Sequence, residues 1–422
     1  MPHFTCPACH AGIDLQHPDT RLYGCLRCGA LSSFASGFPT KAGKVAQSKI
    51  KQLIPMGTTG TLRGNEYTVI GYTERAGVGA GYSWAEYVLM RTTDRKVFFL
   101  SFSDGHWLLV ENIPMEFPEI TAASFGQTTR VEHEGKSFEL FNRFSARYIN
   151  ITGEIPWDLD YQRNIRCLEF IRPPEMISFE MTHRNSKPDI DAFKGTYIYP
   201  KEIKKAFLNG HFPPARFGIA PAQPFLEGLR PREFGIAAIL FCVLAIFSYL
   251  HFNGNRQNRQ IMQEHFDIND STINKALLSP SFKLDGRTSN IEVDIMTDLQ
   301  NNWCAMDLTL VNETTGEERT IPLEAAYYRG VDGGESWSEG DSRQKAFVCS
   351  VKPGQYHFTV TTATEKSGPN VHADVTVFWD VPTAWNEVLL CLLFAGMAIA
   401  LLAWQKYRET VRWAFSDINH QK

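Results

Sequence analysis

Two apolar runs without a single charge limit what this 422-residue chain can fold into. The first is FGIAAILFCVLAIFSYLHF, residues 234–252; the second is VLLCLLFAGMAIALLAW, residues 388–404. A helix over the first run rises about 28 Å, close to the thickness of a bilayer's hydrocarbon core. The second is shorter but extends back to Trp385, which places Trp385 and Trp404 at opposite interfaces, where amphipathic rings partition. Two buried core helices are the alternative, and the lack of charge argues against them. The chain is therefore expected to cross a membrane twice.

The flanks set the direction. Arg216, Arg230 and Arg232 precede the first run, and Lys406, Arg408 and Arg412 follow the second. Asp380 and Glu387 lie just before the second run; Arg256 and Arg259, just after the first, point the other way. The balance of cations predicts both termini in the cytoplasm and residues 253–387 outside it. That loop carries 11 Lys+Arg against 20 Asp+Glu, hence −9, while the whole chain carries −4. The remainder is then +5, too little to argue for nucleic acid. No cleavable signal peptide is visible in the first thirty residues, which hold cysteine knuckles and no apolar core.

Those knuckles are Cys6-Pro-Ala-Cys9 and Cys25-Leu-Arg-Cys28. C-x-x-C bends the backbone so that two sulfurs converge, and two such pairs supply the four thiolates of a tetrahedral zinc site. Residues 1–32 are read as a zinc ribbon, with zinc held by Cys6, Cys9, Cys25 and Cys28. His10 is taken as a knuckle residue, because four thiolates complete the shell. A reducing cytoplasm keeps them available. The other cysteines, at 167, 242, 304, 349 and 391, are scattered and do not form a disulfide scaffold.

The rest reads as mainly β. Residues 33–50 are small and basic, a linker. Residues 51–210 begin with TLRGNEYTVIGY around a Gly-Asn turn and continue through WAEYVLMR, KVFFLSFS and HWLLVEN, an antiparallel meander. A weaker echo, EGKSFELFNRFSARYINITGEIPWDLDY, aligns Gly135, Phe138 and Trp157 with Gly64, Tyr67 and Trp84. It implies a divergent duplication of about 70 residues and hence tandem small β domains. PKEIKKAFLNG, 200–210, reads as a short helix, and 211–233 as a Pro-rich linker. Within 253–387, alternating segments from residue 280 to 380 separated by Gly turns predict an extracytoplasmic β-sandwich. QNRQIMQEHFDIND, 257–270, is read as an outward continuation of the first membrane helix. Residues 405–422 form a cytoplasmic tail.

Few residues invite catalysis. Gly81-Tyr-Ser83-Trp-Ala85 resembles a nucleophile elbow but lacks the helix that must follow. Gly77-x-Gly79-x-Gly81 lacks the lysine and helix of a phosphate loop. Ser101, Asp104 and His106 are neighbours in a turn and do not converge as a triad. Asp332, Glu335, Glu339 and Asp341 make an acidic loop, solvated or calcium-binding, in an order unlike an EF-hand. Trp337, with Tyr327 and Tyr328, is the expected partner contact. Cys304 and Cys349 are read either as a disulfide or as two free thiols. The chain is expected not to be an enzyme.

The strand G-x-x-Y-x-V-x-G (Gly64, Tyr67, Val69, Gly71) and the strand W-x-E-Y-x-L (Trp84, Glu86, Tyr87, Leu89) resemble a bacterial domain-of-unknown-function family. The order of zinc ribbon, tandem domain, helix, outer sandwich and helix resembles its longer members. The family has no established catalytic residues. It implies an envelope-stress setting, with neighbours similar to phage-shock protein A, small multi-pass membrane proteins and polyamine-synthesis enzymes. The expected function is a non-enzymatic membrane-anchored adaptor or scaffold in the bacterial inner membrane. The alternative is an accessory subunit of a membrane enzyme or transporter.

Overall fold

The computed structural model describes residues 3–34, 39–44, 50–159, 161–184, 187–226, 231–365 and 370–418. The chain divides into two compact units, one of Met1–Pro231 with Ala400–Lys422, the other of Arg232–Ile399.

The first unit opens with β1 (His3–Thr5) and β2 (Gly12–Asp14), a hairpin of its own. Next come β3 (Leu22–Gly24), β4 (Ala30–Ser33) and β5 (Thr40–Lys44), which pair in that order. The expected linker thus contains a strand; its residues 35–38 and 45–49 lie outside the described residues. The ribbon is not free-standing, because β3 pairs with β12 (Lys136–Ile155) through Leu22↔Ile155 and Gly24↔Gly153. Glu154 strengthens the joint: its buried carboxylate accepts from Gln16 N at 2.8 Å, His17 N at 2.9 Å and Thr20 Oγ1 at 2.8 Å.

Two five-stranded meanders follow. The first is β6 (Thr59–Leu62), β7 (Asn65–Gly77), β8 (Ser83–Arg91), β9 (Val97–Ser103) and β10 (His106–Ile113). The second is β11 (Arg130–His133), β12, β13 (Ile165–Arg172), β14 (Glu175–Arg184) and β15 (Lys187–Ile198). The duplication is visible in the turns and bulges. Arg63-Gly64 and Glu134-Gly135 close equivalent hairpins with positive φ at both positions. The bulges at Val69/Gly71 and Leu140/Asn142 fall about 70 residues apart, in register with the repeat. The counterpart of Trp84 is Ile165, however, not Trp157, which lies between β12 and β13.

The repeats do not form separate tandem domains. β12 pairs with β7, and β15 pairs with β10, so eight strands close into an antiparallel barrel in the order β7-β8-β9-β10-β15-β14-β13-β12. The outward apolar face of the first meander buries Tyr67, Val69, Tyr87, Leu100 and Trp107 under Ile54 and α1 (Pro200–Ala206), which contributes Ile203. Phe138, Leu140, Phe170 and Phe179 of the second pack with Phe117, Ile120 and Phe125 of the connection. The opposite face of all eight strands turns onto a cavity.

α2 (Pro231–Asn253) and α3 (Trp385–Trp413) are long and apolar enough to cross a membrane. Their apolar side chains are largely exposed, Ile239, Phe247 and Ile399 among them. Within the second unit they pack through Phe241 and Phe394, ring centroids 4.1 Å apart. Between them lies a β-sandwich. One sheet runs β16 (Arg259–Ile268), β25 (Val371–Trp379), β19 (Ser289–Thr297), β23 (Arg343–Val351). The other runs β17 (Ala276–Leu278), β24 (Gly354–Thr364), β20 (Asn302–Asn312), β21 (Glu318–Asp332), β22 (Glu335–Asp341), with β18 (Phe282–Leu284) beside β24. The stretch expected to prolong the first membrane helix is β16 instead: Met262, Phe266 and Ile268 face the core while Gln263, His265 and Asp267 face out. The sandwich closes at its base on Asp380, which accepts from Gln257 N at 2.9 Å and Ser289 Oγ at 2.6 Å and lies 3.5 Å from Arg256.

Gly24 sits where β3 crosses β12, and a Cβ there would lie 2.2 Å from the Ile151 carbonyl oxygen. Gly24→Ala is expected to destabilise the first unit by roughly 1–3 kcal/mol. Gly81→Ala, whose Cβ meets nothing within 4 Å, should leave the thermal unfolding midpoint unchanged.

Candidate functional site

Two constellations stand out in the first unit. In the ribbon, each knuckle is built by the same pair of backbone bonds. His10 N donates to Cys6 O and Cys6 N to Ala11 O; Gly29 N donates to Cys25 O and Cys25 N to Ala30 O, all at 2.9 Å. His10 (φ 58°) and Gly29 (φ 69°) occupy the same left-handed position, which explains why His10 belongs to the knuckle and not to the ligand set. The knuckles bring Cys6 Sγ to 3.8 Å from Cys28 Sγ and Cys9 Sγ to 3.7 Å from Cys25 Sγ. One sulfur from each cysteine lies within 4.8 Å of the others, a donor set compatible with a metal ion.

The second constellation is inside the barrel. The cavity measures about 890 Å³ and is lined from all eight strands. Its wall is aromatic in part, with Trp84, Phe99, Phe144, Tyr148, Trp157 and Phe193. At its centre is Arg75, 3% exposed. Register alone places it: Arg75 on β7 stands opposite Trp84 on β8 and opposite Tyr148 on β12. The guanidinium therefore lies between two rings, 5.3 Å from the Trp84 centroid and 5.1 Å from that of Tyr148. Arg75 Nη1 donates to Glu180 Oε1 at 2.5 Å and reaches Glu86 Oε1 at 3.4 Å. Trp84 Nε1 donates to Glu86 at 2.7 Å, so the Trp-x-Glu spacing puts donor and acceptor on one face of one strand. Cys167 lies 3.8 Å from Arg75 Nη2.

A third carboxylate, Glu169, faces the same cavity and accepts from Asn142 Nδ2 at 2.9 Å. Glu86 and Glu180 thus share Arg75, while Glu169 is held by Asn142. Burial pushes Glu86 up, against the pull of Arg75. It pushes Glu169 up to about 7, with Asp417 adding to the rise. The Cys167 thiol is raised well above its ordinary value by burial and by Glu180. Asn142 also accepts from Asp417 N at 3.1 Å. Asp417 belongs to the segment expected as a cytoplasmic tail, 405–422, part of which packs on this unit. Ser416 bonds the Phe141 carbonyl, Trp413 packs on Phe141 at 5.2 Å, and Arg412 donates to Pro221 O at 2.7 Å and Gln223 O at 2.6 Å.

The remaining sequence candidates fall elsewhere. Ser83 opens strand β8 with no helix behind it, and Gly77 to Gly81 form the β7–β8 tip. Ser101 faces the cavity, while His106 is buried between Tyr197 Oη at 3.0 Å and the Phe217 carbonyl at 3.1 Å, so no triad forms. Cys304 and Cys349 are both free. Cys304 faces the sandwich core from one sheet, whereas Cys349 is exposed on the other, which corrects the disulfide alternative. Trp337 lies on the β21–β22 hairpin, 47% exposed, and covers Gly330, its cross-strand partner. Tyr328 is exposed beside it; Tyr327 packs against the core. Asp332, Glu335, Glu339 and Asp341 are strung along the hairpin and do not surround one point. Arg75, Glu169 and Glu180 were missed by sequence reasoning. Only Glu86 carried a local signal, a charge in the apolar strand WAEYVLM; the strands of the other three hold further polar and charged residues.

Because Glu169 is raised from about 4.5 unfolded to about 7 folded, it favours the folded state below its unfolded pKa. That contribution is lost as pH rises through about 7. Wild-type stability should thus fall more from about pH 5 to about pH 8 than that of Glu169→Gln, read from unfolding midpoints across that range. Parallel curves for the two proteins would contradict the assignment.

Residues 55–200 match a domain of unknown function (DUF4178), which covers the two meanders and the barrel they close. No curated protein matches the chain. Among solved structures, that of the infectious bursal disease virus Gt strain aligns at 7% identity and TM-score 0.19, over 85% of this chain and 66% of that one. The Gx strain of the same virus aligns at 10% identity and TM-score 0.19, over 85% and 65%. The chain therefore spans just under two thirds of those viral chains.

Proposed function

We propose that the protein is a non-enzymatic adaptor anchored in a bacterial cell membrane, whose barrel is a receptor for a small organic cation. The observation that carries this reading is the carboxylate surplus of the cavity: Asp19, Glu86, Asp158, Glu169, Glu180 and Asp191 line it against Arg21, Arg75 and Arg95, within a partly aromatic wall. The Glu169 carboxyl, raised to about 7, holds a proton that offsets part of that surplus, and a bound amine or guanidine would replace it while stacking on the rings. A reaction is a poorer fit, since the cavity thiol, Cys167, sits beside Arg75 rather than a base and is pushed up by burial.

The flanking cations support cytoplasmic termini and an extracytoplasmic sandwich. In that topology the four cysteines lie in a reducing compartment and would hold zinc, which supplies a structural cross-link between the two knuckles. The exposed Trp337 hairpin is the sandwich's partner contact. Phage-shock-protein-A-like coats and small multi-pass proteins are the partners that the family resemblance brings forward.

Calorimetric titration of the full-length protein in detergent tests the receptor. Butylamine, 1,4-diaminobutane and agmatine should bind, and glutamate should not. Affinity should rise with pH through about 7 and fall about tenfold or more in Glu180→Gln. Absence of heat from every amine, or binding indifferent to Glu180→Gln, would overturn it. For the knuckles, protein purified without chelator should contain tightly held zinc, and Cys25→Ser should release it. For topology, a reporter fused after Lys422 should act in the cytoplasm and one near Gly333 outside.

A further inference from the structure

The sandwich carries a second metal-ligating arrangement, remote in sequence from the cysteines. β16 and β25 pair so that His265 stands opposite Asp374 and Asp267 opposite His372. Residues two apart share a strand face, so all four side chains project together from the outer face of the sheet. The two imidazoles stack with centroids 5.5 Å apart and planes 16° from parallel. Asp267 Oδ1 lies 2.7 Å from His372 Nδ1 and 3.4 Å from His265 Nε2. One ligand atom from each of His265, Asp267 and His372 lies within 4.8 Å of the other two.

The fourth member has a different place. Asp374 Oδ1 lies 2.9 Å from His265 Nδ1, on the side of that ring away from Asp267. A carboxylate there accepts a hydrogen bond from Nδ1–H and leaves Nε2 as the lone-pair nitrogen facing Asp267. Metal-bound histidines are commonly fixed in this way by a carboxylate on the other ring nitrogen. Two ordinary ion pairs need only each histidine beside its own aspartate. Here Asp267 instead approaches both rings.

We propose that His265, Asp267 and His372 form a binding site for a first-row divalent cation such as zinc, with Asp374 orienting His265 from outside the coordination shell. Two imidazoles and one carboxylate suit zinc, copper or nickel better than magnesium or calcium. Three protein ligands on one side leave positions open to water or to a group supplied by a partner. The strands fix the ligands by register, so no folding step is needed to assemble them.

Equilibrium dialysis of the full-length protein against micromolar zinc tests the site, with the tightly held cysteine-bound metal counted beforehand. The expected result is one further zinc per chain. His372→Gln and Asp267→Asn should each abolish it and leave the cysteine-bound metal in place. Both positions are about half exposed, so the fold tolerates the changes, and unfolding midpoints verify this. Asp374→Asn should keep the stoichiometry but weaken binding by roughly 10–100-fold. Copper loaded at the same site should show nitrogen hyperfine splitting from two imidazoles. No further zinc in wild type, or a further zinc unaffected by both ligand substitutions, would overturn the site; unchanged affinity in Asp374→Asn would overturn the orienting role.

Discussion

The hydrogen bonds between β7 and β12 close the barrel, and the rest of the first unit depends on them. Without that pairing each meander has an open edge, ready to pair with another chain. The crossing is made of glycines. A Cβ at Gly71 would lie 2.3 Å from Glu154 O, one at Gly153 2.5 Å from Ile70 O, and one at Gly24 2.2 Å from Ile151 O. Three backbones thus approach more closely than side chains would permit. The same closure brings Tyr148 beside Arg75 and forms the cavity, and it gives the ribbon's second hairpin a strand to join.

Burying Arg75 is costly in itself. Removing an ion pair from water takes back much of what Coulomb attraction returns, so such groups seldom add to net stability. Beside the pair a third carboxyl, Glu169, is buried at its own cost, held by Asn142 and not hydrogen-bonded to the arginine. The fold keeps Glu86 and Glu169 in its interior, their carboxyls pushed up by burial, instead of replacing them with apolar side chains. That choice is what separates this cavity from a packed core, and it gives the receptor reading its physical basis.

What the sequence made legible was local. C-x-x-C spacing specifies its own turn, uncharged runs specify their own helices, and alternation with Gly turns specifies a meander. Barrel closure was not legible, because it rests on pairing between strands far apart, and the glycines at the crossing do not name the strand they approach. Arg75 sits in TERAGVG, a stretch that looks like the approach to a hairpin, and only the register with Tyr148 reveals its use. β16 reads as helix because only Met262, Phe266 and Ile268 are buried in the core, with Ile261 at its margin, and its polar face reads as a solvated surface. Cys304 and Cys349 have plausible strand contexts, but strand period decides which face each occupies, and the two faces differ. His265 and His372 are more than a hundred residues apart, so nothing local signals their meeting.

The clasp at Asp380 has a consequence for the order in which the sandwich is made. Arg256 and Asp380 are 124 residues apart, and β16, the first strand after α2, finds its partner in β25, the last before α3. A chain emerging from the ribosome therefore presents β16 with its core-facing Met262 and Phe266 uncovered until nearly the whole loop has been synthesised. Contacts of such sequence separation are slow to form and leave strand edges open meanwhile. The polar outer face of β16, with its glutamines, histidine and aspartate, is then a protection for the nascent chain as well as a surface of the finished one.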